Sequence, residues 1–227
     1  VYHNINHGMF VDLISYLASE ESEYLKNSFL NKHKKRPKCT SSDEFEKEWF
    51  RIENVLFKYP DPIQLGSDDS ELWKDSYYKH HFKHLNSCSE SDYKDHINSM
   101  IFEYLKGLKW VTRYYFDSVP SWTWFYKYDY PPFIEDLYNY LSDNKISFSF
   151  SKSIKFNYGK PLRPFNQLLM VLPPQSAYLV PVSFRHLMLD KNSELVKRGI
   201  YPRKIELDFI GKHKLFMAIP ILPEIDL

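Results

Sequence analysis

Side chains that could hold a divalent metal are spread along this sequence rather than grouped. Hydrolysis of a phosphate ester at one or two Mg²⁺ ions needs several carboxylates that converge on the ions. Acidic pairs occur at 68–69, 92–95, 135–136 and 224–226. They fall near predicted helix starts or in loops, where helix capping and solvation account for them. The sequence therefore predicts no metal ligand and no catalytic residue in this chain.

Histidine and cysteine give no stronger indication of a reactive site. His80 and His84 would share one face of a helix, but no third ligand lies nearby, and zinc sites use three or four. Surface histidines are the simpler interpretation. Cys39 and Cys88 are far apart in polar surroundings, which favours neither a disulfide framework nor a zinc site and fits a reducing compartment. A glycine-rich phosphate loop and a Gly-x-Ser-x-Gly elbow are also missing from the sequence.

Aromatic side chains are the most distinctive chemical feature, at 18% of 227 residues. Such rings can fill a core or act as stacking platforms for nucleobases, and a core is the first interpretation for any single ring. Lys and Arg number 30 and Asp and Glu 29, so the composition gives no electrostatic case for nucleic acid. No apolar run approaches the roughly 18 residues that span a membrane, and we expect no membrane partner.

The elements that must position these rings are predicted mainly from helical periodicity. The predicted helices cover 9–30, 43–58, 72–85, 89–116, 133–142, 164–171, 181–190 and 192–198. Residues 205–209 and 215–219 are predicted as short strands or extended segments. The longest helix starts in a Ser89–Asp92 capping pattern. It contains Gly107, which costs about 1 kcal/mol relative to alanine in a helix, so we expect a close neighbour there.

The remaining segments lack a regular period. Residues 117–135 are dense in rings and punctuated by prolines, 142–155 resemble an exposed Ser/Lys-rich loop, and prolines recur beyond residue 159. The basic run at 32–38 is predicted to be a solvated linker. The fold class is therefore predicted as mainly α: an irregular helical domain with long, extended, proline-rich arms and a few short strands.

Four sequence motifs together resemble one known family. They are GLKWV at 107–111, SWTW at 121–124, PFNQL at 164–168 and LPEID at 222–226. In this order they resemble the second conserved block of the Xrn family of 5′→3′ exoribonucleases, and WKDSYY at 73–78 fits the start of that block. The resemblance covers about 70–226, and residues 13–21 resemble, more weakly, the end of the first block. It implies a division into 1–40, the end of the first block plus the basic linker, and 41–227, the helical second block.

This resemblance implies that the full-length protein degrades 5′-monophosphorylated single-stranded RNA to mononucleotides. The carboxylates that bind Mg²⁺ and the 5′-phosphate pocket would belong to the first block, which is absent here. The chain alone is therefore expected to be inactive, with that first block and single-stranded RNA as its partners. Its expected share is to wall the active site and guide the RNA.

Candidate RNA contacts follow from the same resemblance. The family's base-stacking tryptophan matches Phe216, whose smaller ring would keep the contact in weakened form. Trp122 or Trp124 could lie near the RNA, although burial behind the long helix is the favoured interpretation for both. Lys212 is a possible phosphate contact.

Several departures from the family pattern leave alternatives open. Asp129, Asn166, Ile210 and Glu224 stand where relatives usually have other residues. A catalytically degenerate, Xrn-like RNA-binding or scaffold protein is therefore the alternative, and a module that binds proline-rich peptides is a second one. We expect a cytoplasmic location, with a nuclear one as the alternative.

Overall fold

Helices dominate the computed structural model, which describes residues 5–34, 38–58, 61–67, 70–143, 149–150, 152–212 and 214–223. The α-helices of these residues are α1 His7–Lys34, α2 Glu44–Glu53, α3 Ser70–His81, α4 Glu90–Phe116, α5 Ile134–Asp143, α6 Pro164–Val171, α7 Val182–Leu189 and α8 Glu194–Lys197. The strands β1 Glu206–Asp208 and β2 Ile219–Ile221 pair antiparallel. The prediction of a mainly α fold with a few short strands is confirmed.

The chain divides into two compact units. The first comprises Val1–Lys38 and Pro60–Gly159, and the second comprises Cys39–Tyr59 and Lys160–Leu227. The division at residue 40 that the family resemblance implies concerns blocks of sequence and stays a prediction.

Helix α4 organises the first unit and confirms the predicted capping residue. The Ser89 side chain accepts a hydrogen bond from the Asp92 backbone N–H at 3.1 Å. The buried face of α4 runs at helical spacing through Ile97, Met100, Ile101, Leu105 and Lys109. The apolar stripe expected from the sequence therefore continues into a buried lysine.

Helices α1, α3 and α5 complete the first unit around a core rich in rings. Trp73 and Tyr78 of α3 are almost fully buried and make edge contacts with Phe133, the residue before α5. The Glu21 carboxylate of α1 accepts the N–H groups of Ile134 and Glu135 at 2.9 and 3.0 Å, so it caps α5 from another helix.

The second unit has a smaller core of its own. Ala177, Val180, Met188 and Tyr201 are buried together. The Tyr201 hydroxyl donates to the Leu169 carbonyl oxygen at 2.6 Å, which ties the end of the α7–α8 region to α6. In the β1–β2 pair, Leu207 lies opposite Pro220. A proline is tolerated there because each strand of a two-stranded sheet is an edge strand, and the N–H that proline lacks is not needed on the unpaired side.

The structure corrects four local expectations. Helix α2 ends at Glu53 rather than 58 because the Asn54 side chain caps it, donating to the Phe50 carbonyl at 2.8 Å, and a 3₁₀ turn follows. The expected helix at 72–85 likewise breaks after 81 into a 3₁₀ turn. The segment at 215–219 starts as a 3₁₀ turn, and the strand follows it at 219–221.

The fourth correction concerns the loop expected at 142–155. Phe150 and Ile154 are buried, with 2% and 1% of their surface exposed. Residues 144–148 and 151 of this stretch lie outside the described residues, as do 35–37 of the basic run and the acidic pairs at 68–69 and 224–226.

Candidate nucleic-acid interface

The tryptophan loop, defined here as residues 120–126, follows α4 and treats its two tryptophans differently. Trp122 is 44% exposed, against the expectation of burial. Trp124 is half-buried against α4, which is less burial than expected. One ring is therefore available to a partner, and the other anchors the loop.

Trp124 is held by contacts on several sides. Its indole N–H donates to the Glu103 carboxylate at 2.8 Å. Its ring meets Phe156 edge-on, with centroids 5.8 Å apart. A Cβ added at Gly107 would lie 3.1 Å from Cη2 of Trp124, which is the close neighbour expected at this glycine. The glycine of the GLKWV motif therefore leaves the space into which the second tryptophan of SWTW packs.

The backbone on both sides of Trp122 is also fixed. The buried Ser121 hydroxyl accepts the N–H groups of Thr123 and Trp124 at 3.3 and 3.0 Å. Its carbonyl accepts the Trp110 indole N–H at 3.0 Å. The Trp122 N–H donates to the Tyr158 carbonyl at 2.8 Å. The exposed ring thus projects from an ordered backbone, which lowers the entropy lost when a ligand packs against it.

Lys109 is a site residue that the sequence reasoning missed. Its Nζ donates to the carbonyls of Phe150 and Ile154 at 2.5 and 2.8 Å, and only 8% of the residue is exposed. Burial, and then the nearby Arg113, lower the pKa of the Lys109 amine. Its place four residues after Leu105, on the apolar face of α4, was the available signal.

Further rings are exposed at the end of α4 and beside the tryptophan loop. Trp110 and Tyr114 stack at 5.2 Å with 12° between their planes. Tyr115, Phe116 and Tyr158 are largely exposed. Arg113, in the last turn of α4, pairs with Asp117 at 2.8 Å, and the Lys106 amine lies 5.8 Å from the centroid of the Trp124 ring. This surface therefore offers π-faces on which a base could stack.

The second unit carries the other two candidate contacts. Phe216 is 84% exposed in a 3₁₀ turn, Leu215–Met217. The adjacent Lys214 ties this turn to the end of α2 through the Glu53 carboxylate and the Asn54 side-chain oxygen, at 3.2 and 3.3 Å. Lys212 follows Gly211, which has a φ of 68°, and is partly exposed. The availability of Phe216 and Lys212 fits the candidate roles, which stay predictions.

The residues described do not assemble a metal site. No three His, Cys, Asp or Glu side chains among them converge on one point. His84 faces His96 with 3.2 Å between Nε2 and Nδ1, rather than His80. In the same part of the chain, no helix is both long and apolar enough to cross a bilayer.

Comparison with known proteins gives one consistent result. The family model described as "Xrn1 helical domain" matches residues 15–227. The chain is 35% identical over 191 residues to 5′-3′ exoribonuclease 2 of Candida albicans, covering 82% of this chain and 19% of that protein. It is 37% identical to exoribonuclease 1 of Schizosaccharomyces pombe over 196 residues, 81% of this chain and 13% of that protein.

The same enzyme of Saccharomyces cerevisiae matches at 31% identity over 193 residues, 82% of this chain and 12% of that protein. The chain thus spans less than a fifth of the length of these curated relatives. Because the family model matches nearly the whole chain, the chain belongs to the Xrn family and comprises its helical domain.

Proposed function

We propose that this chain is the non-catalytic part of the nuclease region of a 5′→3′ exoribonuclease, and that it guides single-stranded RNA into the active site. The observation that carries the proposal is the exposed Trp122 ring on a backbone fixed from both sides. The relatives, which are named 5′-3′ exoribonucleases, supply the substrate class.

Stacking suits an enzyme that must move along every sequence. Any nucleobase has a π-face, so a ring binds it without reading its identity, for about 1–3 kcal/mol per base. A base in a duplex is already stacked and paired on both sides. Rigid rings at the entrance therefore favour unpaired 5′ ends and work against duplex RNA.

The chemical step is assigned elsewhere in the parent protein. The described residues do not fit a Mg²⁺ site, and we derive no step through a metal here. In the proposal, Mg²⁺ and the 5′ monophosphate bind to the first conserved block of the same protein, which this chain partners. This chain alone is then inactive, and it contributes RNA affinity and entry geometry.

Phe216 is proposed as a second stacking residue. Its ring is 84% exposed, and Lys214 holds its turn against α2. A benzene ring covers less of a base than an indole does, so a weaker contact is expected than from a tryptophan.

The test uses the full-length parent with Trp122→Ala and Phe216→Ala, on RNA with a 5′ monophosphate and on a 5′-hydroxyl strand. We expect degradation of the phosphorylated strand only. Each variant should also have a higher KM, by a factor equivalent to about 1–3 kcal/mol of binding free energy per lost stack. Trp49→Ala and Phe45→Ala are matched controls because these rings of α2 are also exposed, at 56% and 76%.

Each outcome of this test decides one part of the proposal. If both variants degrade RNA as wild type does, the exoribonuclease activity is supported, and Trp122 and Phe216 are not RNA contacts. A well-folded parent that binds RNA without degrading it would support the degenerate, RNA-binding alternative instead.

A further inference from the structure

We propose that Lys109 is a positioning residue: by holding the segment formed by residues 149–150 and 152–159 against α4, it fixes the backbone from which Trp122 meets RNA. The inference rests on the proposed function for the role of Trp122. The contacts that carry it are independent of that role.

Two hydrogen bonds join the segment to α4. The Lys109 amine donates to the carbonyls of Phe150 and Ile154, 41 and 45 residues further along the chain. Both acceptor residues are buried, so water cannot replace the amine without opening the site. An amine on a four-carbon stem reaches both carbonyls from one helical position, whereas an apolar side chain would remove both hydrogen bonds from a buried site.

The same segment contacts the tryptophan loop at two points. Phe156 packs edge-on against Trp124. The Tyr158 carbonyl, two residues further, accepts the Trp122 N–H at 2.8 Å. A segment that lost its hold on Lys109 would therefore loosen the acceptor of the Trp122 amide.

A merely structural lysine would act differently. Removal of such a residue would lower stability throughout the unit and change RNA turnover only through the fraction folded. A positioning residue changes the local order of the tryptophan loop in a protein that is still folded. The two roles are separated by a local measurement.

Hydrogen exchange of the full-length parent provides that measurement. Lys109→Met keeps the length of the stem and removes the donor, and Lys109→Arg keeps donors. Lys94→Met, at an exposed position of the same helix, is the control. In Lys109→Met, peptides covering 121–126 and 152–159 should exchange faster, by about tenfold or more. Peptides covering 97–105 should stay protected, and Lys94→Met should match wild type.

Kinetics on 5′-monophosphorylated single-stranded RNA then test the consequence. Lys109→Met should raise KM by about three- to tenfold, part of the loss of one stacked base, with kcat changed less than twofold. Lys109→Arg should recover part of this change. In a Trp122→Ala background, Lys109→Met should add little to KM, because the ring that it positions is gone.

The proposal and the function on which it rests fail in different ways. Unchanged exchange at 121–126 in folded Lys109→Met overturns the positioning role, whatever Trp122 does. Faster exchange with an unchanged KM would support the positioning role of Lys109 and show that Trp122 does not bind RNA.

Should Lys109→Met not fold, wild type is compared with and without a phosphorothioate oligoribonucleotide in the absence of Mg²⁺. Protection must then change together at 121–126 and 152–159, and a change at one alone overturns the inference.

Discussion

At the scale of single residues, His96 is expected to make the stability of the first unit depend on pH. Its ring lies among His84, Phe82 and Tyr128, with 3.2 Å between His84 Nε2 and His96 Nδ1. Burial first, then the charges of His84 and Lys127, lower the pKa of His96 below its usual 6.5. Below about pH 6.5, the unfolded chain therefore binds a proton that the folded chain refuses.

The free energy of unfolding is accordingly expected to fall as the pH drops through 6.5 toward the lower pKa of folded His96. His96→Phe keeps a ring in an aromatic site and removes the titration, so this variant should lose less stability between pH 7.5 and 5.5. Urea unfolding at the two pH values measures the difference. His80→Phe, at an exposed position, should keep the wild-type pH dependence. Parallel losses in wild type and His96→Phe would show that His96 is not responsible.

The junction between Gly159 and Thr123 sets the geometry beside Trp122. Gly159 has a φ of 63°, and a Cβ there would lie 2.6 Å from Cγ2 of Thr123. Gly199 has a φ of 76° with open space around it. A substitution there therefore measures the cost of the backbone conformation without a steric clash. Gly199→Ala should therefore cost about 1–2 kcal/mol of unfolding free energy, and Gly159→Ala more.

The excess cost of Gly159→Ala should disappear when Thr123→Ala is added, because that substitution removes the two closest atoms. A double-mutant cycle measured by urea unfolding gives this coupling. Equal costs for the two glycines would mean that Thr123 moves aside freely.

At the scale of elements, α5 depends on a cap supplied by α1. The Glu21 carboxylate accepts two N–H groups of the first turn of α5, which has no other described partner for them. Glu21→Ala should lower the unfolding free energy by about 1–2 kcal/mol, and Glu21→Gln, which keeps one acceptor, by less. Glu20→Ala, at an exposed position one residue earlier, is the control. Urea unfolding of the three variants ranks them, and equal stabilities would mean that water replaces the cap without cost.

The same elements show which features the sequence could predict. Helix α4 was predicted well because its capping residue and its apolar spacing are both local. A close neighbour at Gly107 was predicted from the sequence, but its identity, Trp124, was not. Only a tertiary contact identifies that partner, because the two residues lie in different elements.

The segment formed by residues 149–150 and 152–159 could not be predicted for the same physical reason. Its serines and lysines indicate an exposed loop, yet Phe150 and Ile154 are buried where their carbonyls meet Lys109. Contacts across more than 40 residues leave no periodic signal. A charged residue on an otherwise apolar helix face is the one local sign of such a contact.

At the scale of the whole molecule, the proposed function predicts that charge and rings make separable contributions to RNA affinity. The chain has a net charge of +1, and Arg113, beside the exposed rings at the end of α4, pairs with Asp117. Phosphate contacts release counterions and weaken steeply with salt, whereas stacking on a ring releases none. The part of the affinity that Trp122 supplies should therefore be nearly independent of salt, even though total RNA affinity falls.

This separation is measured by titrating the full-length parent and its Trp122→Ala variant with a single-stranded oligoribonucleotide at about 50 and 300 mM salt. Both proteins should lose affinity with the same slope of log K against log salt, and the ratio of their Kd values should stay constant. A lysine that contacts one phosphate behaves differently, since its loss lowers the slope by about one unit. Lys212→Ala provides that comparison. A ratio for Trp122→Ala that shrinks with salt would mean that the substitution disturbs a phosphate contact, and that the ring is not the group that holds the RNA.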